Sequence, residues 1–310
     1  MKNKTTILLL TLFLFGGLSA QSKHEFSANI GTGLSGLNSK LIVGEHNLKF
    51  GGFFGAGYRY FFSSKMGLTT GIEFGFLNSK SNLTSFNDRY MTRDMEGTEF
   101  EFRTTLSDHL EQQRVVMLQI PVMGTYKTNF KDKKYQFFAS AGIKMGLPLT
   151  ALYSTTVTMI NSGYFAFEDY EYTRETDVGF GTFSGRILNG KLDLGLSFMA
   201  STEFGVKWIL NNRMPIYTGI YFDYGLNNIA TGASVSTGST PTSPIVLYNS
   251  NNPTQKIVNS VINSHQGQRH IAEKVSPLSV GITVRVTINK KQLTSLQKFL
   301  KKTDTRNKEN

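Results

Sequence analysis

The chain has 310 residues, no cysteine and a formal net charge of +11. The lack of cysteine excludes disulfides, thiolate metal sites and a lipid-modified N-terminal cysteine. Two lysines lie in the first twenty residues, and residues 290–310 carry seven basic and two acidic side chains, which leaves a net charge of +4 on residues 21–289. The body of the chain is therefore only mildly basic, and we expect no nucleic-acid partner.

The N-terminus has the pattern of a secretory signal peptide. Lys2 and Lys4 precede the apolar run 7–15, and Leu18-Ser19-Ala20 supplies small residues at the expected cleavage site. The run is shorter than the about 20 residues that a membrane-spanning helix needs. We predict three parts, namely a signal peptide at 1–20, a barrel domain at 21–289 and a short basic periplasmic tail at 290–310.

Apolar and small or polar residues alternate with a period of two, which is typical of strands with two different faces. Near the end of the domain, one face holds Leu278, Val280, Ile282, Val284, Val286 and Ile288, and the other holds Ser279, Gly281, Thr283, Arg285 and Thr287. The same alternation predicts eight strands, at 26–36, 48–62, 66–78, 115–128, 135–147, 194–210, 214–227 and 277–289. Pro121 cannot donate a ladder hydrogen bond, so we expect a bulge there.

The connections between these strands alternate in length. Short connections lie at 63–65, 129–134 and 211–213, and long ones at 37–47, 79–114, 148–193 and 228–276. Short periplasmic turns and long outer loops are typical of outer-membrane barrels, whereas a soluble sandwich has no reason to sort its loops. We predict an all-β fold, an eight-stranded antiparallel up-and-down transmembrane β-barrel in the outer membrane, with both termini in the periplasm.

The composition of the two faces predicts their orientation. The less apolar face consists mainly of Gly, Ser and Thr, which would make a poor soluble surface but suits the narrow lumen of a small barrel. Membrane lipid is then the partner of the apolar face. Aromatic residues near the short turns are predicted to form an interfacial girdle; they are Tyr58, Tyr60, Phe62, Tyr126, Phe130, Tyr135, Phe137 and Trp208.

Eight ionisable residues are predicted to face the lumen: Lys49, Arg59, Glu73, Lys144, Glu203, Lys207, Asp223 and Arg285. One interpretation is a small polar pore or ligand site. The favoured interpretation is a packed network of ion pairs that fills the interior, because buried charges must be paired. Arg59 and Glu73 lie on adjacent strands and are expected to take part in it.

No catalytic or cofactor-binding pattern is visible. A barrel enzyme acting on lipid would need a nucleophile, a base and an orienting group within hydrogen-bond reach. The histidines, His24, His46, His109, His265 and His270, all lie outside the predicted strands. Asp108-His109 with Glu111, and the pair His265 and His270, could suggest metal binding, but neither has a recognised ligand spacing. We therefore predict no enzyme, no cofactor and no metal.

The long loops and the tail are the expected functional surfaces. The 79–114 loop carries many charges, and the 148–193 loop contains an aromatic and acidic run from Tyr164 to Tyr172, although both loops could instead continue the strands. The region from Thr231 to Asn263 is rich in Ser, Thr, Asn, Pro and Gly and is expected to be mobile. In the tail, an apolar stripe at helical spacing could lie on lipid headgroups, bind a periplasmic partner or fray.

Several motifs carry a resemblance to a known family. They are Gly31-Thr32-Gly33-Leu34, Gly51 to Tyr58, Gly71-Ile72-Glu73-Phe74-Gly75, Leu118-Gln119-Ile120-Pro121-Val122 with Tyr126-Lys127, and Ala141-Gly142-Ile143. On these motifs the chain resembles the outer-membrane β-barrel family that includes the PorT-like proteins of Gram-negative bacteria, among the OmpA-like eight-stranded barrels. Some relatives resemble components of a secretion system.

The expected function is that of a non-enzymatic integral outer-membrane protein that acts in interaction or envelope assembly through its outer loops or its periplasmic tail. The alternatives are a component of a protein-secretion apparatus with a periplasmic or secretion-system partner, which the PorT resemblance implies, a lipid-modifying barrel enzyme, and a small passive pore.

Overall fold

The structure is a computed structural model that describes residues 23–128, 134–209, 215–231, 243–266 and 269–288. The predicted signal peptide, the 290–310 tail and Phe130 lie outside these residues. The long strands are β1 His24–Leu41, β2 Phe50–Phe61, β3 Met66–Arg93, β4 Glu99–Lys127, β5 Tyr135–Phe165, β6 Ser197–Trp208, β7 Ile216–Gly225 and β8 Ala272–Ile288. No helix formed by the described residues is long and apolar enough to cross a bilayer.

The long strands close into a barrel. Each strand pairs antiparallel with the next one in the chain, and β8 pairs with β1. The predicted all-β, antiparallel up-and-down architecture is therefore confirmed. Shorter strands pair on its outer part or with each other, namely Glu45–Leu48 with β3, Tyr170–Tyr172 and Gly181–Lys191 with β5, Val246–Leu247 with Ile257–Val258, and His265–Gln266 with Arg269–His270. A 3-10 turn spans Thr176–Val178.

In the half of the barrel next to the short turns, the apolar face points outward. On β8, Ile282 is 60% exposed, whereas its neighbours Thr283 and Arg285 are buried. The same outward apolar side chains occur on every strand, for example Ile30 on β1 and Ile220 on β7. We call this part of the barrel the apolar band. The predicted orientation, with hydrocarbon outside and small or polar residues inside, is confirmed.

Glycine makes room for large side chains inside the narrow ring. The ring of Phe53 points inward and is buried, and it lies against Gly31 on β1. A Cβ atom on Gly31 would stand 2.3 Å from Cε1 of Phe53, closer than two carbon atoms can approach. The glycine-rich inner face is thus a packing requirement of a small barrel.

Pro121 interrupts the ladder without forming a bulge. The β3–β4 pairing is interrupted between the Thr70–Val122 and Glu73–Gln119 pairs, and both pairs keep the same register. On its other side, Pro121 pairs in register with Lys144 of β5. The expected bulge at Pro121 is therefore wrong, because the missing N–H removes a hydrogen bond on one side without adding a residue.

Two of the predicted long loops continue the strands beyond the apolar band. The predicted strands ended at residues 78 and 147, but β3 runs to Arg93, β4 begins at Glu99 and β5 runs to Phe165. Gly181–Lys191 adds to the edge of β5. We call this extension of β3, β4 and β5, together with Gly181–Lys191, the head. The interpretation that both loops extend the barrel strands is confirmed.

The head has its own hydrophobic core, closed by part of the last long connection. Residues 243–264, which we call the cap, pack against the inner side of the head, and Ile245, Val261 and Ile262 are fully buried. The expectation that 231–263 is mobile is therefore wrong for residues 243–263. A segment of modest hydropathy folds here because the inward face of the head supplies Phe100, Phe102 and other apolar partners.

Candidate functional site

The lumen of the apolar band holds a buried network of ion pairs. Seven of the eight ionisable residues that the sequence placed there are at most 6% exposed, namely Arg59, Glu73, Lys144, Glu203, Lys207, Asp223 and Arg285. Lys144 on β5 is central, because its ammonium lies 3.0 Å from Glu73 Oε2 and 2.9 Å from Asp223 Oδ2. Ser201 donates its hydroxyl to the other oxygen of Asp223.

Two further ion pairs extend the network along the lumen. Arg285 Nη2 lies 2.8 Å from Glu203 Oε2, and Lys207 Nζ lies 2.6 Å from Glu25 Oε1. The Tyr217 hydroxyl donates to the second oxygen of Glu25. The predicted first strand begins at residue 26, and Glu25 is therefore absent from the predicted lumen residues. The alternation of Glu25 with the buried Ser27 would have identified it.

Arg59 does not join the network through Glu73, so the expected link between them is wrong. The register explains this result, because Arg59 lies opposite Thr69 while Gly55 lies opposite Glu73. Arg59 Nε donates to Thr69 Oγ1 at 2.7 Å, and its guanidinium stacks 4.8 Å from the ring centroid of Tyr217. Within the described residues, its two Nη atoms have no hydrogen-bond partner.

Lys49 is exposed and does not face the lumen, contrary to the prediction. Leu48 pairs with Ser79 on β3, whereas Gly52 pairs with Phe76, so the register changes by one residue between these two pairs. Because side chains alternate along a strand, a one-residue change reverses the faces. The regular alternation assumed for 48–62 therefore fails at its first residues.

The lumen around the Lys144 cluster leaves almost no free space. The cavity beside the Lys144 cluster has a volume of about 20 Å³, which is room for about one water molecule. It is lined by network members such as Glu73, Lys144 and Asp223 and by the ring of Phe53. The arrangement is that of a filled, charge-paired interior.

The predicted interfacial aromatics lie at the short-turn end of the barrel. Tyr60, Phe62, Tyr126, Tyr135, Phe137 and Trp208 are exposed, and Tyr58 is half-buried. The indole of Trp208 donates to Thr218 Oγ1 at 2.8 Å, so its polar atom is satisfied while its ring faces outward. Exposed rings with a polar handle are typical of side chains at a membrane–water interface.

The histidines lie within strands, so their expected position outside strands is wrong. His109 is on β4 in the head and fully buried, and its two ring nitrogens have no hydrogen-bond partner among the described residues. Burial lowers the pKa of His109 to about 4. Asp108 is exposed and has a left-handed φ of 51°, so it does not point towards the buried His109 and Glu111.

His265 and His270 form a pair, with their Nε2 atoms 3.3 Å apart. Burial and the neighbouring His270 ring lower the pKa of His265. Within the part of the chain that the structure describes, no group of three or more His, Asp or Glu side chains is placed to hold a metal ion.

Glu111 anchors the cap to the head. Its buried carboxylate accepts hydrogen bonds from the Ser260 hydroxyl at 2.5 Å, the Val261 N–H at 3.0 Å and the Gln113 amide at 2.8 Å. Burial raises the pKa of Glu111. The Thr155 hydroxyl adds a longer contact of 3.4 Å. The described residues provide Glu111 with no ion-pair partner, so hydrogen-bond donors stabilise its charge.

A cleft lies at the tip of the head, and we call it the tip cleft. It has a volume of about 520 Å³ and lies between the β3–β4 turn, the end of β5 and the 3-10 turn Thr176–Val178. Part of the aromatic and acidic run noted in the sequence lines it, namely Phe165, Phe167, Glu168 and Tyr172. Asp94, Glu96, Glu175 and Asp177 add further carboxylates.

Comparison with known proteins identifies the family. A model of the outer membrane protein beta-barrel domain matches residues 15–231, more than half of the chain. Among solved structures, Neisserial surface protein A (NspA) aligns with 86% of this chain and 97% of that chain, at 9% sequence identity and a TM-score of 0.31. No curated protein matches the chain. The chain belongs to the outer membrane protein beta-barrel domain family and is a protein of the bacterial outer membrane.

Proposed function

We propose that this protein is a non-conducting, non-enzymatic outer-membrane protein that acts by binding a partner through its head, in interaction or envelope assembly. The observation that carries the proposal is the head itself. Three strands extend beyond the apolar band and enclose a second hydrophobic core, which the cap closes. A rigid scaffold that presents turns away from lipid is suited to recognition.

The proposed orientation places the head outside the cell and the short turns and both termini in the periplasm. The difference in connection length supports it, since outer loops are the long ones in such barrels. The chain lacks cysteine, so a single introduced cysteine is a unique label. Thr182 is exposed on the head, and Lys65 is exposed in the turn between β2 and β3.

Intact cells that produce T182C or K65C test this orientation with a membrane-impermeant maleimide. We expect T182C to be labelled on intact cells and K65C only after the outer membrane is permeabilised. The reverse pattern would refute the orientation. A photo-crosslinker on the same two positions then tests the function, because partner adducts are expected from T182C and not from K65C. Adducts from K65C alone would instead support a periplasmic role.

The filled lumen supports the proposal that the barrel does not conduct. Lys144, Glu73 and Asp223 occupy the centre of the barrel, and the cap packs across the head. Planar-bilayer recording should therefore detect no stable single-channel current from the purified protein. Reproducible open levels would overturn this part of the proposal and favour the small passive pore.

The surroundings of His109 and His265 support the proposal of no catalysis, and the Ser81 hydroxyl that lies 2.8 Å from His46 Nδ1 is fully buried. His109 contacts no hydrogen-bond partner among the described residues, and the described contact of His265 Nε2 is with His270. Neither arrangement joins a base to a nucleophile. If H46A, H109A, H265A and H270A leave the lipid composition of the envelope unchanged, a lipid-modifying enzyme that uses one of these histidines is excluded.

A second candidate function is that of a component of a protein-secretion apparatus, which the PorT resemblance favours. Its expected contact is the 290–310 tail, which lies outside the described residues. Co-purification in mild detergent of the full chain and of a chain ending at residue 289 tests this candidate. A partner that is lost with the tail supports it, and a partner that remains points back to the head.

A further inference from the structure

The tip cleft combines two features that are unusual on a protein surface. Its rim carries large apolar side chains away from the apolar band, with Met95 and Phe167 each 69% exposed. Its lining includes five carboxylates, those of Asp94, Glu96, Glu168, Glu175 and Asp177. Exposed apolar groups that form a patch in water indicate a binding surface.

The carboxylates are not neutralised by neighbouring cations. Among the described residues none of the five forms a salt bridge, although Arg93 and Arg103 nearby pair with Glu99 and with Glu101 and Glu171. Lys256 lies beside the cleft, where its ammonium donates to the carbonyl oxygens of Gly179 and Pro253, and it adds one positive charge against the five carboxylates. The cleft therefore keeps a negative potential, which favours a cationic ligand.

The ring of Phe167, which is largely exposed, offers an aromatic surface to such a ligand, whereas Phe165 is stacked on Phe100. Phe165 packs edge-on against Phe167 and Tyr172, with ring centroids 6.0 and 5.4 Å apart. The faces of aromatic rings attract ammonium and guanidinium groups, and carboxylates beside them add charge-assisted hydrogen bonds. The cleft volume of about 520 Å³ lies within the usual range of small-ligand sites.

We propose that the tip cleft binds a peptide segment in which Arg or Lys lies beside an aromatic residue. The proposal rests on the proposed binding function of the head and names its ligand class. An anionic lipid surface is disfavoured as the occupant, because five carboxylates would repel it.

Titration calorimetry on the full chain in a neutral zwitterionic detergent tests the proposal. The probes are the amidated tripeptide Phe-Arg-Phe, the matched Phe-Glu-Phe and phenethylamine. We expect Phe-Arg-Phe to bind, Phe-Glu-Phe not to bind, and the affinity to fall when salt is raised from about 50 to about 500 mM. Binding of the tripeptide but not of phenethylamine supports a peptide as the occupant, whereas phenethylamine binding of similar affinity would assign the cleft to a free amine and overturn the proposal.

Exposed side chains provide variants that should not affect folding. The variant E96Q/E168Q/E175Q should weaken binding by about tenfold, as expected for the loss of three exposed charge contacts. The control E45Q/D108N/D193N removes the same charge from exposed positions outside the cleft lining and should stay within about twofold of wild type. Phe167→Ser should also weaken binding, since it removes the exposed ring.

Three further results would overturn the proposal: equal binding of Phe-Glu-Phe, wild-type affinity in the triple Gln variant, or no binding of Phe-Arg-Phe. A concentration-dependent dimer that the triple Gln variant abolishes would assign the cleft to a second copy and overturn it as well. If T182C still crosslinks to a partner in any of these cases, the binding function of the head stands and only the ligand class fails.

Discussion

The Lys144 cluster permits a quantitative test of the filled barrel. Replacing Lys144 with Met keeps an unbranched side chain of similar length but removes the ammonium group. The buried carboxylates of Glu73 and Asp223 then lose their shared cation. Breaking a buried ion pair by removing one partner costs about 3–5 kcal/mol. We expect K144M to lose stability in that range.

The assay uses urea unfolding followed by tryptophan fluorescence. Trp208 is the only tryptophan of the chain, and its ring faces outward at the short-turn end of the barrel, so its emission should shift to the red when the barrel opens. With a denaturant dependence of about 2 kcal/mol per molar urea, the midpoint should fall by about 1.5–2.5 M.

The control is the variant K144M/E73Q/D223N, which removes all three charges and should recover most of the lost stability. Replacing all members of a buried ion pair by neutral groups often costs little, whereas removing one partner leaves a buried charge without compensation. If K144M unfolds within about 0.3 M of wild type, Lys144 does not compensate the two carboxylates, and the description of the lumen as a charge-paired core is wrong. If the triple variant is no more stable than K144M, the loss comes from packing and not from charge.

Three further predictions concern the head. Glu111→Ala leaves the donors of the cap unpaired and should cost about 2–4 kcal/mol locally, seen as faster proteolysis within 243–264 while the barrel stays folded; unchanged cleavage would contradict the anchor. Burial lowers the pKa of His109 to about 4, so the folded head resists protonation of this side chain and loses stability as the pH falls from 6.5 towards 4. Hydrogen exchange of residues 99–114 should show that this loss is about 2–3 kcal/mol between pH 7.5 and 4.5. The His109→Leu variant should not show it. Tyr90→Phe removes the hydroxyl that donates to the Val246 carbonyl, which should lower the local stability of the cap by about 1–2 kcal/mol and speed its cleavage. A cap that stays resistant would show that this contact is dispensable.

The barrel could be predicted from the sequence because its constraint is local. Along β8, each side chain faces either the apolar surroundings or the lumen, and the alternation from Leu278 onward records that choice residue by residue. The same alternation correctly predicted the seven buried charged residues of the lumen. It failed for Lys49 and Glu25, because both lie where a strand begins, and there a one-residue irregularity or boundary error reverses or hides the face.

The head could not be predicted in the same way because its key contacts are distant in sequence. The cap carries small and polar residues, and its burial depends on Glu111, about 150 positions earlier, and on aromatic residues of β4. Composition alone favoured mobility. The local pattern of 243–264 does not indicate that this segment finds hydrogen-bond donors and acceptors inside the head.

The same physics explains why the predicted strands ended too early. On β3, Phe74 and Phe76 point outward, but from Leu77 onward most apolar residues, such as Leu83, point inward, and Met91 near the end of the strand is exposed. We interpret this switch as the place where the outer surroundings change from lipid to water, because the hydrophobic face of a continuous strand must change sides there. A test for constant alternation therefore detects a strand end where the structure has none. On this interpretation, the change of the hydrophobic face marks the membrane boundary. The tip cleft lies at the far end of β3 and β5, about 15 residues of strand beyond that boundary.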